Sequence, residues 1–395
     1  MTSAELQALG AGTNGPLRGR SVVDWSRSRG LSQQASSTRG NDVSRTIQIG
    51  DRLIGSGQPA YLIAELSANH NGSLDRALEI IRLAAESGAD AIKLQTYTAD
   101  TMTIPCDAPP FQIHGGLWDG YQLHDLYVEA HTPWEWHEAL FAEAKRLGLD
   151  CFSTPFDATS VDFLEQFDPI VYKIASFELT DHALLRKIAS TGRPIIMSTG
   201  MANLSEIHEA VGVLRAAGCQ QLALLRCVSS YPASPSDFNL RTIPHLAETF
   251  DVVSGLSDHS MGHTTALAAV SLGAAIVEKH FIARRSDGGP DSAFSMEPAE
   301  FSLMASAVRD AEAALGRVAY GPGLAESSNV VFRRSCFAIA DIEPGEELTT
   351  ENVRVIRPGD GLAPKHIDGL IGQRALDRIE RGTPLSWDLV GASRG

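Results

Sequence analysis

Residues 273–298 read GAAIVEKHFIARRSDGGPDSAFSMEP, and this stretch decides the fold. It begins with a short apolar run, AIV at 275–277, and turns polar at once with Glu278, Lys279 and His280. A loop rich in Gly, Ser and Asp follows, and then a new helix begins. This order is typical of a buried strand whose apolar part fills a core and whose polar end opens onto a cleft. Seven earlier stretches follow the same pattern, so we expect their polar ends to form one site.

The pattern starts at residue 46, where short apolar runs rich in β-branched residues begin to alternate with amphipathic segments rich in Ala, Leu, Glu and Arg. Such alternation predicts βαβ units and a parallel sheet. The predicted strands lie at 61–66, 91–95, 150–154, 170–175, 194–198, 222–227, 252–256 and 275–280. The predicted helices lie at 74–87, 133–147, 160–167, 182–189, 204–217, 240–249, 264–272 and 301–315.

Eight strand–helix units over about 260 residues match a (β/α)8 TIM barrel in number and length. An open doubly wound sheet is the alternative. It is disfavoured because no GxGxxG follows the first strand and an eighth unit would be left over. The stretch 98–132 interrupts the repeat after the second strand. It contains Trp118, Tyr121, Leu123 and Tyr127, which indicates a lid or a segment that shapes the substrate site.

Three further segments lie outside the barrel, which is predicted to span 46–316. Residues 1–45 contain few apolar side chains and are predicted to be a flexible N-terminal extension, or else a tail ordered against a partner subunit. Residues 317–332, with GPG at 321–323, are predicted to be a linker. Residues 333–391 carry short apolar runs separated by Pro/Gly turns, which predicts a small, mostly β domain. Alone it would bury little core, so we expect it to dock on another surface.

Composition narrows the class of function. The chain has 395 residues, 43% of them hydrophobic and 21% charged, as in ordinary globular proteins. No apolar run approaches the roughly 20 residues that a membrane span requires, and the N-terminus lacks the apolar segment of a secretory signal. Five cysteines without a CxxC pair favour reduced thiols in a cytoplasm. A formal net charge of −15 argues against nucleic acid and anionic membranes as partners, and an anionic small substrate requires a locally basic site.

The active site of such a barrel lies at the carboxyl ends of its strands, so the last residues of each strand are candidates. Lys93 and Gln95 share one face of the second strand because they are two residues apart. Lys173 and Ser176 close the fourth strand. Two lysines among hydroxyl groups suit a phosphate together with a carboxylate. The alternatives are lysines at solvated strand ends, or a Schiff-base Lys173 as in barrel aldolases. The surrounding hydroxyls are Ser153, Thr154, Ser176, Ser198 and Ser257.

His259 and His280 end the neighbouring seventh and eighth strands, so their side chains can converge on one divalent cation. Glu278, Asp291 or water would complete an oxygen-rich shell. The sequence has no HExxH and no cysteine pair, so loosely bound Mn²⁺ or Mg²⁺ is expected rather than zinc. A hydrogen-bonded core histidine is the alternative for each. For His70, loop stabilisation and ligand contact are left as equal alternatives.

Glu65 ends the apolar run YLIAE of the first strand, where a buried carboxylate needs a partner or a role. A salt bridge to Lys93 is the structural explanation. An acid/base group, or an acceptor for sugar hydroxyls, is the functional one. The sixth strand adds Arg226, Ser229 and Tyr231 to the same predicted rim.

Taken together, these residues resemble the sialic acid synthase family. RPGDGLAP at 357–364 resembles the antifreeze-like (SAF) domain that ends those enzymes. The resemblance extends over roughly residues 46–391. The matching stretches in the barrel are IAELSANHNG at 63–72, AIKLQTY at 91–97, FSTPFD at 152–157, YKIAS at 172–176, PIIMSTGM at 194–201, YP at 231–232, GLSDH at 255–259, VEKHF at 277–281 and MEPAEF at 296–301.

The resemblance implies an enzyme that condenses phosphoenolpyruvate with a 2-acetamido sugar to give a nonulosonic acid and phosphate. It implies a divalent metal at His259 and His280. It also implies a domain-swapped homodimer in which Arg357 reaches into the barrel of a second subunit. By the matching motifs, phosphoenolpyruvate would contact Lys93, Thr154, Lys173, Ser176, Ser198 and Ser257. The acceptor sugar would contact Glu65, Gln95, Tyr231 and Asp291, with Ser229 close to it.

Details within the motifs favour one branch of the family. N-acetylneuraminate and legionaminate synthases usually read GPDHxxSLEP after the eighth strand, whereas this chain reads GGPDSAFSMEP. Its fourth strand reads KIASFE rather than KIGSGE, and Ser229 stands where the sialate branch commonly has Asn. LWDGYQLHDLY at 117–127 and TPWEWH at 132–137 resemble pseudaminic acid synthases. That branch implies 2,4-diacetamido-2,4,6-trideoxy-L-altrose as the acceptor.

The reaction implied by the resemblance is a metal-assisted, aldol-type C–C bond formation with C–O cleavage of phosphoenolpyruvate. The metal would act as a Lewis acid on the open-chain sugar aldehyde, and Glu65 would carry the proton. Lys93 and Lys173 would stabilise phosphate and carboxylate charge. Two alternatives come from other classes: a Schiff-base aldolase or lyase acting on the same sugars, and a non-catalytic sugar-binding protein. The ring of polar strand ends argues against the second.

Overall fold

The computed structural model describes residues 45–391. The extension predicted at 1–45 lies outside the described residues, except for Arg45. The chain divides into two compact units, and the boundary between Glu312 and Ala313 falls within the last turn of the helix Pro298–Leu315.

The first unit is a closed barrel of eight parallel strands in chain order, and the eighth strand pairs with both the seventh and the first. Each strand coincides with a predicted apolar run to within two residues. The TIM-barrel prediction is therefore confirmed, and closure of the sheet excludes the open doubly wound alternative. The strands are Tyr61–Glu65, Ala91–Thr96, Asp150–Pro155, Tyr172–Ile174, Ile195–Ser198, Leu222–Cys227, Val253–Asp258 and Ile276–His280.

Helices cover the outside of this barrel, and several begin at a side chain that accepts hydrogen bonds from the first backbone N–H groups. Asp157, Asp181 and Asn203 cap their helices in this way. The apolar faces of the helices pack on the outward side chains of the strands. The helices are Leu74–Glu86, His137–Arg146, Ala158–Leu164, His182–Ala189, Leu204–Ala216, Thr242–Phe250, Thr264–Ser271 and Pro298–Leu315. Short 3₁₀ turns lie at Trp134–Trp136, Glu165–Phe167, Phe177–Thr180, Pro235–Asp237, Arg285–Asp287 and Ser292–Phe294.

An antiparallel hairpin precedes the barrel, with strands Thr46–Ile49 and Arg52–Gly55. Its buried side chains join the same apolar cluster as inward residues near the strand starts, such as Tyr61 and Phe152. The hairpin therefore packs against the amino end of the barrel interior. The sequence analysis did not predict it.

The insertion at 98–132 contains a short helix, Ala99–Met102, a 3₁₀ turn, Pro109–Phe111, and a second helix, Leu123–Ala130. A single β-bridge joins Gln112 to Gln122. The insertion therefore has a fixed fold, and it follows directly on the second strand, at the end of the barrel where the polar residues lie.

The second unit contains two short antiparallel strand pairs, Ser335–Ala338 with Val353–Ile356 and Arg374–Ala375 with Val390–Gly391. A small apolar core includes Cys336. This matches the small, mostly β domain predicted at 333–391. The predicted linker 317–332 is not wholly irregular, because it contains the helix Leu324–Ser327 and the 3₁₀ turn Ser328–Phe332. The remaining turns and helix are Pro364–His366, Ile367–Leu370 and Trp387–Leu389.

Within residues 45–391, no helix combines the length and the apolar character that a membrane crossing requires.

Candidate active site

A cavity of about 470 Å³ lies at the carboxyl ends of the barrel strands. Its floor is made by side chains from the strand ends, and part of its wall comes from the insertion 98–132. Most of the predicted site residues meet here because parallel strands in register bring their carboxyl ends to one rim. Those that line the cavity are Glu65, Lys93, Gln95, Lys173, Ser176, Ser198, Tyr231, Ser257, His259, His280 and Asp291.

Three of the residues assigned to the substrates by resemblance, Thr154, Ser229 and Arg357, do not line this cavity. Thr154 and Ser229 each have a buried hydroxyl without a hydrogen-bond partner among the described residues. The hydroxyl of Ser229 lies close to Gly200, because a Cβ built on that glycine would be 2.4 Å from Ser229 Oγ. Arg357 belongs to the second unit and is exposed. The structure therefore does not bring Arg357 together with the others within the barrel unit.

The two predicted lysines are buried, 3% and 1% exposed, so neither is a solvated strand end. Lys93 Nζ lies 3.0 Å from Glu65 Oε2 and 3.0 Å from Glu278 Oε1. Lys173 Nζ donates to Ser198 Oγ at 2.7 Å and lies 3.5 Å from Glu278 Oε1. Burial by itself lowers the pKa of a lysine. For Lys93 the nearby carboxylates Glu278 and Glu65 outweigh burial, and the net pKa is raised. For Lys173 burial is the larger effect, and the net pKa is lowered.

Glu278 corrects the sequence analysis, which offered it as a group to complete the metal shell. The parallel register places it opposite Ser257, whose hydroxyl donates to Glu278 Oε1 at 3.1 Å. Its Oε1 lies within 3.5 Å of the ammonium groups of both Lys93 and Lys173. Burial raises the pKa of Glu278, but Lys173 and Lys93 outweigh that effect and leave the pKa below its usual value. Glu278 is therefore an ionised group between two ammonium groups.

Glu65 forms the predicted salt bridge to Lys93 and also contacts other site residues. Gln95 Nε2 donates to Glu65 Oε1 at 2.8 Å, and His280 Nε2 lies 3.3 Å from Glu65 Oε2. Burial raises the pKa of Glu65, but His280, Lys93 and the Gln95 amide outweigh it, so the net pKa is below its usual value. The structural explanation, a salt bridge to Lys93, is therefore confirmed, and the acid/base role of Glu65 stays a prediction.

The rings of His259 and His280 have centroids 5.2 Å apart. His259 Nδ1 lies 2.8 Å from the carbonyl oxygen of Val228, so Nδ1–H donates there and the lone pair stays on Nε2. His280 Nδ1 is buried without a hydrogen-bond partner among the described residues and lies 3.9 Å from Asp291 Oδ2. Neither histidine is thus a fully hydrogen-bonded core residue.

These two imidazoles fit a divalent cation only as part of a larger shell. Residues 45–391 contain no group of three or more His, Cys, Asp and Glu side chains arranged to hold a metal by themselves. The orphaned nitrogen of His280 and the nearby Asp291 carboxylate suit an ion whose remaining ligands come from water or substrate. A closed structural site of the zinc type does not fit.

Other residues predicted at the rim point away from it. Ser153 Oγ lies 2.6 Å from Thr96 Oγ1 on the outer face of the barrel. Arg226 Nε donates to the carbonyl oxygen of Phe238 at 2.6 Å. Asp258, between the predicted residues Ser257 and His259, lies 2.9 Å from Lys279 Nζ on the outer face. Side chains alternate along a strand, so every second residue faces the helices and not the cavity.

His70 stabilises a loop. Its Nδ1 accepts the backbone N–H of Gly72 at 3.1 Å, and its ring meets Trp136 edge-on at 5.3 Å between centroids. Burial lowers the pKa of His70 to about 4, so this ring is neutral at pH 7. His70 does not line the cavity, which favours the structural alternative.

Two polar residues that line the cavity were not predicted as site residues, Cys227 and Glu178. Cys227 ends the sixth strand, and its Sγ lies 3.9 Å from His259 Nδ1. Glu178 follows the fourth strand, and its Oε2 is buried without a hydrogen-bond partner among the described residues. Burial raises the pKa of Glu178 to about 7. The sequence did contain a signal for Glu178 as a site residue. It ends KIASFE at 173–178, directly after the fourth strand, where the candidates Lys173 and Ser176 also lie.

A closed (β/α)8 barrel with buried lysines, carboxylates and imidazoles at the carboxyl ends of its strands defines a TIM-barrel enzyme. The chain belongs to the NeuB family, whose model matches residues 80–320, and a SAF domain matches residues 333–391. The predicted resemblance to the sialic acid synthase family is confirmed. Its relatives are synthases of nonulosonic acids, so the chain is an enzyme of the group-transferring kind.

The chain is similar to curated proteins along almost their whole length. Pseudaminic acid synthase of Campylobacter jejuni is 44% identical over 86% of this chain and 98% of the relative. Pseudaminic acid synthase of Helicobacter pylori is 44% identical over 85% and 99%. N,N'-diacetyllegionaminic acid synthase of Legionella pneumophila is 36% identical over 86% and 96%.

Solved structures agree with this placement. The spore coat polysaccharide biosynthesis protein spsE of Bacillus subtilis has a TM-score of 0.60 and 35% identity, covering 88% of this chain and 99% of that one. N-acetylneuraminic acid synthetase of Leptospira borgpetersenii has a TM-score of 0.65 and 31% identity, covering 73% and 95%.

Proposed function

We propose that the chain is a pseudaminic acid synthase. It condenses phosphoenolpyruvate with 2,4-diacetamido-2,4,6-trideoxy-β-L-altropyranose, taken in its open-chain form, to give pseudaminate and phosphate. The observation that carries the proposal is the identity to pseudaminic acid synthases, 44% along nearly their full length, against 36% to a legionaminic acid synthase. Ser229 and Ser292, at which the sequence departs from the sialate pattern, stand two residues before Tyr231 and one residue after Asp291, and both of these neighbours line the cavity.

Phosphoenolpyruvate binds on the floor of the cavity in this proposal. Two buried ammonium groups, Lys93 and Lys173, stabilise its phosphate and carboxylate charge, which is often the largest single contribution to catalysis. Hydroxyls already aimed at this region can donate to the same anions. The orphaned hydroxyl of Thr154 supports this, because a buried donor without a partner is satisfied when a ligand binds. The other hydroxyls are those of Ser176, Ser198 and Ser257.

The acceptor sugar lies above this floor, against Glu65, Gln95, Tyr231 and Asp291, with Ser229 at its edge. Carbon 3 of phosphoenolpyruvate forms the new bond to the aldehyde carbon of the open-chain sugar. Water adds at carbon 2, and the C–O bond to phosphate breaks. Glu65 is the proposed proton acceptor, because its carboxylate is ionised and is held at 2.8 Å by the Gln95 amide.

We assign the metal, Mn²⁺ or Mg²⁺, to His259 and His280. When bound, such an ion supplies Lewis-acid activation of the aldehyde oxygen. The protein's part is to hold the two imidazoles: Val228 fixes the orientation of His259, and Glu65 contacts His280. Tyr231 packs beside His259, with ring centroids 4.4 Å apart.

A homodimer that swaps its C-terminal domains completes the proposal, with Arg357 reaching the barrel of the partner subunit. The second unit leaves large apolar side chains uncovered: Val318, Tyr320 and Leu324 are 88%, 96% and 98% exposed. Large exposed apolar patches are typical of protein–protein contacts.

Five cysteines without a disulfide support a cytoplasmic location.

The test is phosphate release from phosphoenolpyruvate with the trideoxy-altrose and with N-acetylmannosamine as alternative acceptors. We expect release that depends on the trideoxy sugar, with pseudaminate formed in equal amount. Release with N-acetylmannosamine or with a legionaminate precursor as the better acceptor would assign the chain to those synthases instead.

One observation favours a second candidate, a Schiff-base aldolase or lyase acting on the same sugars. Lys173 is buried and its pKa is lowered by that burial, as in lysines that form imines with carbonyl substrates. Borohydride treatment in the presence of pyruvate distinguishes the two. We expect no mass added to Lys173, and a trapped adduct there would favour the aldolase.

A further inference from the structure

We propose that the insertion 98–132 determines acceptor specificity, and that it recognises the sugar through its methyl groups. This inference rests on the proposed function and adds to it which part of the chain selects the trideoxy acceptor. The surface concerned, called here the apolar wall, consists of Met102, Ile113, Trp118, Leu123, Leu126 and Tyr127, all of which line the cavity.

The helix Leu123–Ala130 turns its apolar stripe toward the cavity. Leu123, Leu126, Tyr127 and Ala130 all line the cavity, and their spacing of three, four and seven residues places them on one helical face. Val128, on another face, does not line the cavity and is 50% exposed. A helix normally packs such a stripe on a core, but none of these residues belongs to the apolar clusters formed by residues 45–391. Leu126 is only 8% exposed and the Tyr127 ring packs edge-on against Tyr97, with centroids 5.8 Å apart, but both still line the cavity. The stripe therefore forms part of the cavity surface that a ligand would meet.

The apolar wall is fixed beside the proposed acceptor contacts. Trp118 Nε1–H donates to the carbonyl oxygen of Pro290 at 3.0 Å, and Pro290 precedes Asp291. The Trp118 ring lies against Tyr231, with centroids 5.5 Å apart. The insertion and the loop after the eighth strand thus form two sides of one compartment.

The floor and the wall of the cavity differ in chemistry. The floor offers charges and hydroxyls, whereas the aliphatic side chains of the apolar wall offer no hydrogen-bonding group to a sugar hydroxyl. A methyl group fits such a surface, and an unpartnered hydroxyl does not. The trideoxy acceptor carries three methyl groups, one at carbon 6 and one on each acetamido group. An apolar pocket disfavours an analogue that merely adds a hydroxyl by about 100-fold.

The experiment compares two acceptors that differ at one carbon: the 2,4-diacetamido-2,4,6-trideoxy sugar and its analogue with a hydroxyl at carbon 6. For the wild type we expect kcat/KM to favour the trideoxy sugar by about 100-fold. Leu123→Asn, which places an amide with the same number of heavy atoms on the apolar wall, is expected to reduce this ratio about tenfold. The KM for phosphoenolpyruvate should stay unchanged.

Val128→Asn is the matched control, because it makes a comparable change on the exposed side of the same helix. We expect its acceptor ratio to equal that of the wild type. Ile113→Asn, from a different part of the insertion, provides a second test if Leu123→Asn does not fold. Equal losses with both acceptors, or a ratio that no wall variant changes, would overturn the inference and leave the proposed function standing. Absence of phosphate release with either sugar in the wild type would overturn both.

Discussion

Lys279→Met should destabilise the barrel much more than removal of a surface lysine does. Lys279 and Asp258 are register partners on the outer faces of the eighth and seventh strands, and each is about 1% exposed. Lys279 Nζ lies 2.9 Å from Asp258 Oδ2 and donates to the carbonyl oxygen of Ser260 at 2.5 Å. The substitution leaves the Asp258 carboxylate buried without its counter-charge.

The magnitude follows from what remains around Asp258. Breaking a buried ion pair by removing one partner costs about 3–5 kcal/mol. Ser260 still donates to Asp258 Oδ1 through its N–H at 2.8 Å and its hydroxyl at 2.7 Å. These hydrogen bonds favour the low end, about 3 kcal/mol. At about 2–4 °C per kcal/mol for a domain of this size, Tm should fall by about 6–12 °C.

Thermal unfolding followed by circular dichroism measures this change, with Lys187→Met as the control. The Lys187–Asp162 pair is on the surface, with side chains 36% and 67% exposed, so its loss should cost less than about 1 kcal/mol. A second substitution, Asp258→Leu, should restore much of the stability that Lys279→Met loses, because no charge is then left buried. Equal Tm values for Lys279→Met and Lys187→Met would refute the reasoning.

Three further outcomes are expected. Glu65→Gln should keep phosphoenolpyruvate binding and lower turnover by about 10²–10⁴-fold in the phosphate-release assay; turnover near the wild-type rate would remove Glu65 as the proton acceptor. EDTA-treated enzyme should lose phosphate release and regain it with Mn²⁺, and full activity without metal would remove His259 and His280 from the mechanism. Burial raises the pKa of Glu178 from 4.5 to about 7, so the folded state holds this proton more tightly than the unfolded state. Glu178 therefore destabilises the fold progressively as the pH rises from about 4.5 to 7, and it has no such effect below about pH 4.5. Between pH 5 and pH 8, the free energy of unfolding from urea titrations should therefore change in favour of Glu178→Gln by up to about 3 kcal/mol; parallel pH dependences would contradict this.

The barrel and much of its site were predictable because parallel strands obey two simple regularities. Short apolar runs that alternate with amphipathic segments specify the strand–helix order, and the carboxyl ends of the strands share one rim. The period of two then separates Glu278 and His280, which face the cavity, from Lys279, which faces the helices. The same rule applies to the third strand: because Phe152 faces the barrel interior, its neighbour Ser153 must face the helices.

What the sequence analysis missed depends on contacts between distant segments. The position of Glu278 between Lys93 and Lys173 follows from barrel closure, which brings the eighth strand back to the first, and no local pattern contains it. The hairpin at 46–55 did have a local signal. Gly50-Asp51 stands between two short apolar runs, a spacing typical of a two-residue turn. It was overlooked because its strands have only four residues each.

The charges of the cavity explain why the barrel residues alone make an incomplete site for phosphoenolpyruvate. Among the described lining residues, Lys93 and Lys173 face three carboxylates, Glu65, Glu278 and Asp291, and Glu178 adds a fourth carboxyl group. The cavity is therefore not locally basic, although an anionic substrate requires positive charge around it.

Bringing a phosphate and a carboxylate into this buried space needs more cationic charge than two paired ammonium groups provide. In the proposed function, a divalent ion at His259 and His280 would supply two positive charges, and Arg357 from a second subunit would supply a third. Both proposals, first made from the resemblance, therefore also agree with the charge of the cavity. Because the metal and phosphoenolpyruvate attract each other across the same cavity, each must raise the affinity of the enzyme for the other by the same factor.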